Sequence, residues 1–503
     1  MNRIHAPLFE MLQELAERKP ASFHVPGHRY GQALYNIEDE ANQAFAAIMK
    51  LDVTELSATD DLHHPEGAIA EAQRLASRCF GADETCFLVG GSTSGNIALL
   101  LAVCQPGDTI IVQRNVHKSV INGLKLAGAR TVFISPQIDG RTGKATSPSL
   151  QTVEEALDRF PEAQAVFLTN PNYYGMSVNL APYAKLIHQS DKMLLVDEAH
   201  GAHYGFHPQL PVSAIQAGAD AVVQSTHKTL TALTMGAMLH MQGERLPREA
   251  VRQALAVVQS SSPSFPIMAS LDISRAMIES RREAWFEPAI SEACRFRQWL
   301  TSREPQLLQT VHSHERSNAY DQLDPLRILL SDATGSRSGY ELQNVLEQHN
   351  VWAEMADPRH VVLLFGIQAS PSDTERLMEA CEHLERVIAE ASKNISSTTK
   401  AYSIEATTPS LHLAADAQSD EIRVGAPIIM SRAAASSIRI PLEEAEGRIA
   451  AEMVVPYPPG IPIVYPGERL TAASIRYIGQ LAAHRAKFQG AADPSMRTIE
   501  VLH

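Results

Sequence analysis

Cysteine is scarce and scattered in this chain: Cys79, Cys86, Cys104, Cys294 and Cys381 show no CxxC spacing. That argues against a disulfide frame or a thiolate zinc site, and it predicts reduced thiols in a cytoplasmic protein. Long apolar runs are missing as well, so no stretch reaches the roughly 20 residues that a membrane-spanning helix needs. The opening MNRIHAPLFEMLQELAERKP carries charge throughout and lacks the apolar core and small-residue cleavage site of a secretory signal, so it reads as an amphipathic helix. Positive charge is in deficit, with 43 Lys and Arg against 57 Asp and Glu and a net charge of −14. This balance disfavours nucleic acid or an anionic membrane as a partner and is mildly favourable to a cationic ligand.

Two catalytic signatures are also absent. No HExxH occurs among the 20 histidines, and His200, His203 and His207 beside Asp197 and Glu198 are a weak substitute, so no metal is expected. A phosphate loop of the form GxxxxGK[ST] is missing too. The nearest stretch, GRTGKAT at 140–146, has the wrong spacing. The DEAH at 197–200 is therefore not read as a helicase box.

What the chain does have is length and alternation. Its 503 residues, 45% hydrophobic and 20% charged, exceed one ordinary core and predict two or three domains. From about Thr85 to Met238, the runs CFLVG, TIIVQR, TVFISP, AVFLTN, MLLVDEA and AVVQST alternate with helix-like segments. Near-continuous apolar strands between helices predict an α/β fold whose mostly parallel sheet is covered on both faces. After Trp285 the order changes to a small α+β domain. A Ser/Thr-rich stretch at 394–410 reads as a linker, and the proline-dense segment near Tyr457 reads as rigid loops laid against another surface. The expected division is an N-terminal segment 1–60, a large domain 61–284, a small α+β domain 285–393, the linker 394–410 and a C-terminal domain 411–503.

The chemistry-bearing residues fall at predicted strand ends, where open α/β sheets bind ligands. AVVQSTHK delivers Lys228, MLLVDEAH delivers Asp197 and His200, and GGSTSGN precedes a helix whose N-terminus would face an anion. A lysine can form a Schiff base with an aldehyde cofactor, and a carboxylate can keep a pyridine nitrogen protonated, which is the pairing that pyridoxal phosphate requires. Lys228 as a surface lysine at a helix start, Asp197 as a helix cap and His117 as a loop histidine remain open on spacing alone.

FHVPGH (23–28), DVTELSATDDLHHPEG (52–67), GGSTSGN (90–96), RNVHKS (114–119), DEAH, QSTHK and PYPPGIPIVYPGE (456–468) occur in this order. In these motifs the chain resembles the Orn/Lys/Arg decarboxylase family, of the pyridoxal-phosphate-dependent transferase fold type I, in a short form without an N-terminal wing domain. The resemblance implies decarboxylation of a basic L-amino acid, arginine or lysine ahead of ornithine, through an aldimine and a quinonoid, as an amine-forming step of polyamine biosynthesis. Transamination or another lyase reaction on the same fold stays open on residue spacing.

The resemblance assigns the cofactor to Lys228, the ring nitrogen to Asp197 and the ring faces to Ala199 and His117, with His200 beside them. It assigns the phosphate to Ser92, Thr93, Ser94, Ser225 and His227, and return of a proton to Lys228 or His227. It further implies a homodimer or higher oligomer in which Ser261 and Ser262, from a loop around Ser260, reach the partner's phosphate site. Glu468 in YPGE is a candidate carboxylate for the substrate cation, with an ordinary surface glutamate as the alternative.

Overall fold

The computed structural model describes residues 4–34, 40–311, 317–397, 423–430, 436–457, 460–483 and 486–503. Seven strands form the main sheet: β1 (Glu84–Leu88), β2 (Thr109–Gln113), β3 (Arg130–Ile134), β4 (Ala165–Thr169), β5 (Met193–Asp197), β6 (Ala221–Gln224) and β7 (Ala237–Met241). Their spatial order is β1, β7, β6, β5, β4, β2, β3, and a short strand, Ile428–Ile429, adds to the far edge of β3.

The pairs from β6 to β3 are parallel. Helices Lys118–Ala127, Leu150–Arg159 and Ala181–Gln189 join β2 to β3, β3 to β4 and β4 to β5, whereas a run of turns at 198–220 joins β5 to β6. β7 follows β6 after only the short segment 225–236, too short for a crossover, and so runs antiparallel to it; it is antiparallel to β1 on its other side as well. Alternation sorts the side chains in the way the apolar runs predict. Phe167, Leu195 and Val223 enter one core with the helix Gly91–Val103, whereas Val166, Leu168, Leu194, Val196 and Val222 enter the core on the opposite face. β2 and β4 lie side by side where the strand order reverses, and the crevice beyond such a point is where doubly wound sheets place a ligand.

The second unit carries a four-stranded antiparallel sheet built from Leu308–Thr310, Arg327–Asp332, Met355–Ala356 and Val361–Leu364. Helices Glu287–Thr301, Gly339–Gln348 and Pro371–Ser397 accompany it. Of the stretch VWAEM at 351–355, only Met355 joins the ladder. The Val351 amide is used instead to bond the Leu346 carbonyl at the end of the preceding helix. The last helix runs on to Ser397, and residues 398–410 of the expected linker lie outside the described residues.

The C-terminal unit has its own core, including Leu442, Val454, Ile478 and Val501. It docks on the main sheet through Tyr465, whose ring stacks on Phe133 at 4.7 Å, lies under the Arg114 guanidinium at 4.0 Å and bonds the Arg114 carbonyl through its hydroxyl. The N-terminal helix Pro7–Glu17 buries Leu8, Leu12 and Leu15 along one stripe, as its amphipathic spacing predicts. No helix among the described residues is long and apolar enough to cross a membrane.

Candidate active site

Asp197 ends β5, and Lys228 sits on the single helical turn that follows β6. Because these strands pair in parallel with Asp197 opposite Val223, the carboxylate and the amine emerge side by side. His117 follows β2 as the N-cap of helix Lys118–Ala127, its side chain accepting from the Ser119 amide. Ser92, His117, Asp197, Ala199, His200 and Lys228 all line one cavity at this edge of the sheet.

Asp197 is 3% exposed. One of its oxygens accepts from Asn96 Nδ2 at 2.8 Å and the other from the Ala199 amide at 3.1 Å. Burial raises its pKa, while the Lys228 charge and these two donors oppose the rise. Burial lowers the pKa of Lys228; Asp197 and Glu354 work against this, and Arg327 adds to it. His117 is brought down to about 4 by burial, with Lys228 and Lys118 contributing, so its imidazole is neutral. His200 Nε2 lies 3.1 Å from Lys228 Nζ, and its Nδ1 lies 2.9 Å from Arg327 Nη2.

The remaining residues expected around the phosphate do not line this cavity. Ser94 donates its hydroxyl to the Gly91 carbonyl at 2.8 Å, Thr93 is exposed, and His227 Nδ1 is engaged by the Gly236 carbonyl at 3.0 Å. Ser225 is fully buried, and its hydroxyl has no partner among the described residues; the same holds for the Thr226 hydroxyl beside it. A buried hydroxyl without a partner is costly unless a ligand supplies one. Together with the helix N-terminus at Gly91, the paired Asp197 and the desolvated amine, this donor set fits a phosphorylated pyridine aldehyde. Ser261 and Ser262 are exposed on a loop held by His63 Nε2 at 2.9 Å from the Ser260 carbonyl, and they do not line the Lys228 cavity.

Four contributors carried no role in the sequence reading. Asn96 stands in a motif that was recognised, and only the fold shows it bridging Asp197 and Ser119. Tyr173, in the turn after β4, lays its ring 4.2 Å from that of His200. Arg327 comes from the small domain. Glu354 lines a second cavity, of about 460 Å³, which shares Asn115, Asn172, Tyr173 and Ile461 with the first and therefore adjoins it. The Glu354 charge acts on Lys228, His227 and Tyr173.

Glu468 also borders the larger cavity, but its carboxylate is committed. Both oxygens accept from Arg114 Nη2, at 2.9 and 2.8 Å, and one also takes the Tyr465 amide at 3.1 Å. Its place is in the seam that joins the C-terminal unit to the sheet. Glu468→Gln is expected to cost about 1–3 kcal/mol of stability by unpairing Arg114, read in thermal unfolding, and to leave the preference among arginine, lysine and ornithine unchanged. A changed preference at unchanged stability would return Glu468 to the substrate site.

The sheet, its strand order and the lysine and carboxylate at adjacent strand ends define the fold of the type I pyridoxal-phosphate enzymes. A family profile described as Orn/Lys/Arg decarboxylase, major domain, matches residues 6–373, and one for the C-terminal domain of the same family matches 429–494. The chain belongs to the Orn/Lys/Arg decarboxylase family. It is 39% identical to an uncharacterised Bacillus subtilis protein, YaaO, over 97% of this chain and 96% of that one. It is 33% identical to the arginine decarboxylase of the same organism, over 100% and 99% of the two chains. The Francisella novicida lysine decarboxylase LdcF superposes with a TM-score of 0.79 at 20% identity, covering 100% of this chain and 82% of that one, which shows a shared fold.

Proposed function

We propose that this chain is a pyridoxal-phosphate-dependent decarboxylase of a basic L-amino acid, arginine or lysine ahead of ornithine, releasing CO2 and the corresponding amine. The observation that carries the reading is that Lys228 and Asp197 line one cavity and that Glu354 lines the cavity adjoining it. Full-length relatives named arginine decarboxylase support the substrate class.

Bound pyridoxal phosphate supplies the electron sink for the carbon that loses CO2. The protein's part is positional and electrostatic. Lys228 Nζ would bind the aldehyde, Asp197 would favour a proton on the ring nitrogen, and the neutral His117 would lie against the cofactor. The amides at the start of helix Gly91–Val103 and the free Ser225 hydroxyl would hold the phosphate. The larger cavity takes the substrate side chain, with Glu354 as the counter-charge for its distal cation. Proton return to the substrate α-carbon falls to Lys228 Nζ or to His227, whose Nε2 is left to act because Nδ1 is engaged by Gly236.

Supply of arginine, lysine and ornithine in separate reactions should give CO2 and one amine, whereas a keto acid would indicate transamination. Glu354→Gln should raise KM for the preferred amino acid about ten- to hundredfold with a smaller change in kcat, the usual effect of losing one charge-assisted contact. Unchanged KM would remove Glu354 from the reading.

Two further parts of the proposal concern assembly and location. Phe23 and Val257 are 97% and 79% exposed, and Leu233 and Met235, just beyond the lysine turn, are also uncovered. With Ser261 and Ser262 exposed nearby in sequence, this supports a homodimer whose partner completes the phosphate site. Five free cysteines support a cytoplasmic location.

A further inference from the structure

Arg327 is almost fully buried, at 1% exposure, and the reaction outlined above gives it no task. It is held rigidly. It lies in the central strand of the small domain opposite Leu364, its Nη1 donates to the Tyr173 carbonyl at 3.1 Å, and its own carbonyl takes Arg297 Nη2 at 2.6 Å. A guanidinium can only donate. The 2.9 Å bond from Nη2 to His200 Nδ1 therefore requires a lone pair on Nδ1.

His200 is buried beside Lys228 and Arg327, with His117 and His227 also near, and burial with these charges keeps its pKa well below the ordinary imidazole value. The neutral ring then carries its single proton on Nε2. That N–H faces Lys228 Nζ at 3.1 Å, so the amine must accept and must have a lone pair to do so. The opposite arrangement, an ammonium donating to Nε2, would place an Nδ1–H against the guanidinium, donor against donor.

We infer that Arg327 is a positioning residue which, by fixing the tautomer of His200, holds Lys228 as the uncharged amine that can bond to the cofactor. This rests on the reading of Lys228 as the cofactor lysine. Attack by the amine lone pair on the aldehyde carbon forms the carbon–nitrogen bond, and the carbonyl oxygen leaves as water with the amine's two protons. An ammonium has no lone pair to begin that step. Asp197 and Glu354 also face Lys228 and favour the ammonium, whereas Arg327 disfavours it both directly and through the ring. The small domain, which supplies Arg327, thereby sets the charge of a lysine carried by the large domain.

The test uses the full-length chain cleared of cofactor, with the rate of appearance of the visible pyridoxal-phosphate absorbance followed across pH. Arg327→Met should move the midpoint of the pH–rate profile up by about one unit, so that near pH 7 binding is about tenfold slower and at high pH it matches the parent. Arg327→Lys, which keeps a charged donor, should stay near the parent. If Arg327→Met does not fold, His200→Gln serves in its place, since its amide can turn an oxygen toward an ammonium, and the same upward shift is expected. A folded variant of either kind that binds more slowly at every pH, with its midpoint unmoved, overturns the inference. A parent chain that gains no absorbance, or a reduced adduct on another lysine, overturns the reading of Lys228 and the inference with it.

Discussion

Lys228→Ala is expected to abolish the visible cofactor absorbance and to lower decarboxylation by about four orders of magnitude or more, because no other amine in the cavity can hold the aldehyde. Among the residues lining the Lys228 cavity, Lys228 is the single lysine. Borohydride reduction followed by peptide mapping should place the pyridoxyl group on Lys228 in the parent and on no lysine in the variant. The same variant tests assembly. Mixed in equal amounts with a chain altered at Ser261 and Ser262, it should recover about a quarter of parental activity, since half the dimers are hybrids with one intact site of two. No recovery after verified chain exchange would mean that the serines do not act across the dimer.

Asp197→Asn is expected to lower kcat by about a thousandfold, the scale associated with losing a preorganised charge at a reacting system. The physical basis is the burial of the carboxylate. With 3% exposure and two donors aimed at its oxygens, Asp197 is built to remain an acceptor toward the cavity. Asparagine keeps the size but loses the charge that would favour a proton on the ring nitrogen, and its NH2 would meet either Asn96 Nδ2 or the Ala199 amide donor against donor. Folding should be little altered, because removing a buried charge offsets the one mismatched donor. Turnover by stopped-flow with thermal unfolding as the control decides the matter: near-parental turnover in a folded variant would leave Asp197 a purely structural residue.

Much of this arrangement is legible along the chain for a local reason. A near-continuous apolar run between helices announces a strand buried on both faces, and the residue where it stops is the residue at the sheet edge. Asp197 and Lys228 could thus be placed at neighbouring strand ends from MLLVDEAH and AVVQSTHK, and the helix after GGSTSGN from its apolar run. AMLHM, which forms β7, is as apolar as its neighbours, but its antiparallel place between β1 and β6 is set by the tertiary fold and not by local pattern. The edge strand Ile428–Ile429 gave no signal of its own; it is a strand only because β3 leaves an edge for it.

The sequence by itself determined the fold class and put a lysine, a carboxylate and a helix N-terminus at one edge of the sheet, since each depends on where an apolar run stops and on residues a few positions apart. Tertiary structure alone decided the partners of long polar side chains. Glu468 meets Arg114 across a separation of 354 residues and so becomes part of a domain seam. Arg327 meets His200 across 127 and so reaches the lysine through an imidazole. Glu354, in a segment whose first residues never join the ladder, borders the cavity because the small domain packs there. An arginine or glutamate carries its charge at the end of a flexible stem whose direction local pattern leaves free, and it is the packing of whole domains, driven by burial of their apolar faces, that selects the one partner within reach.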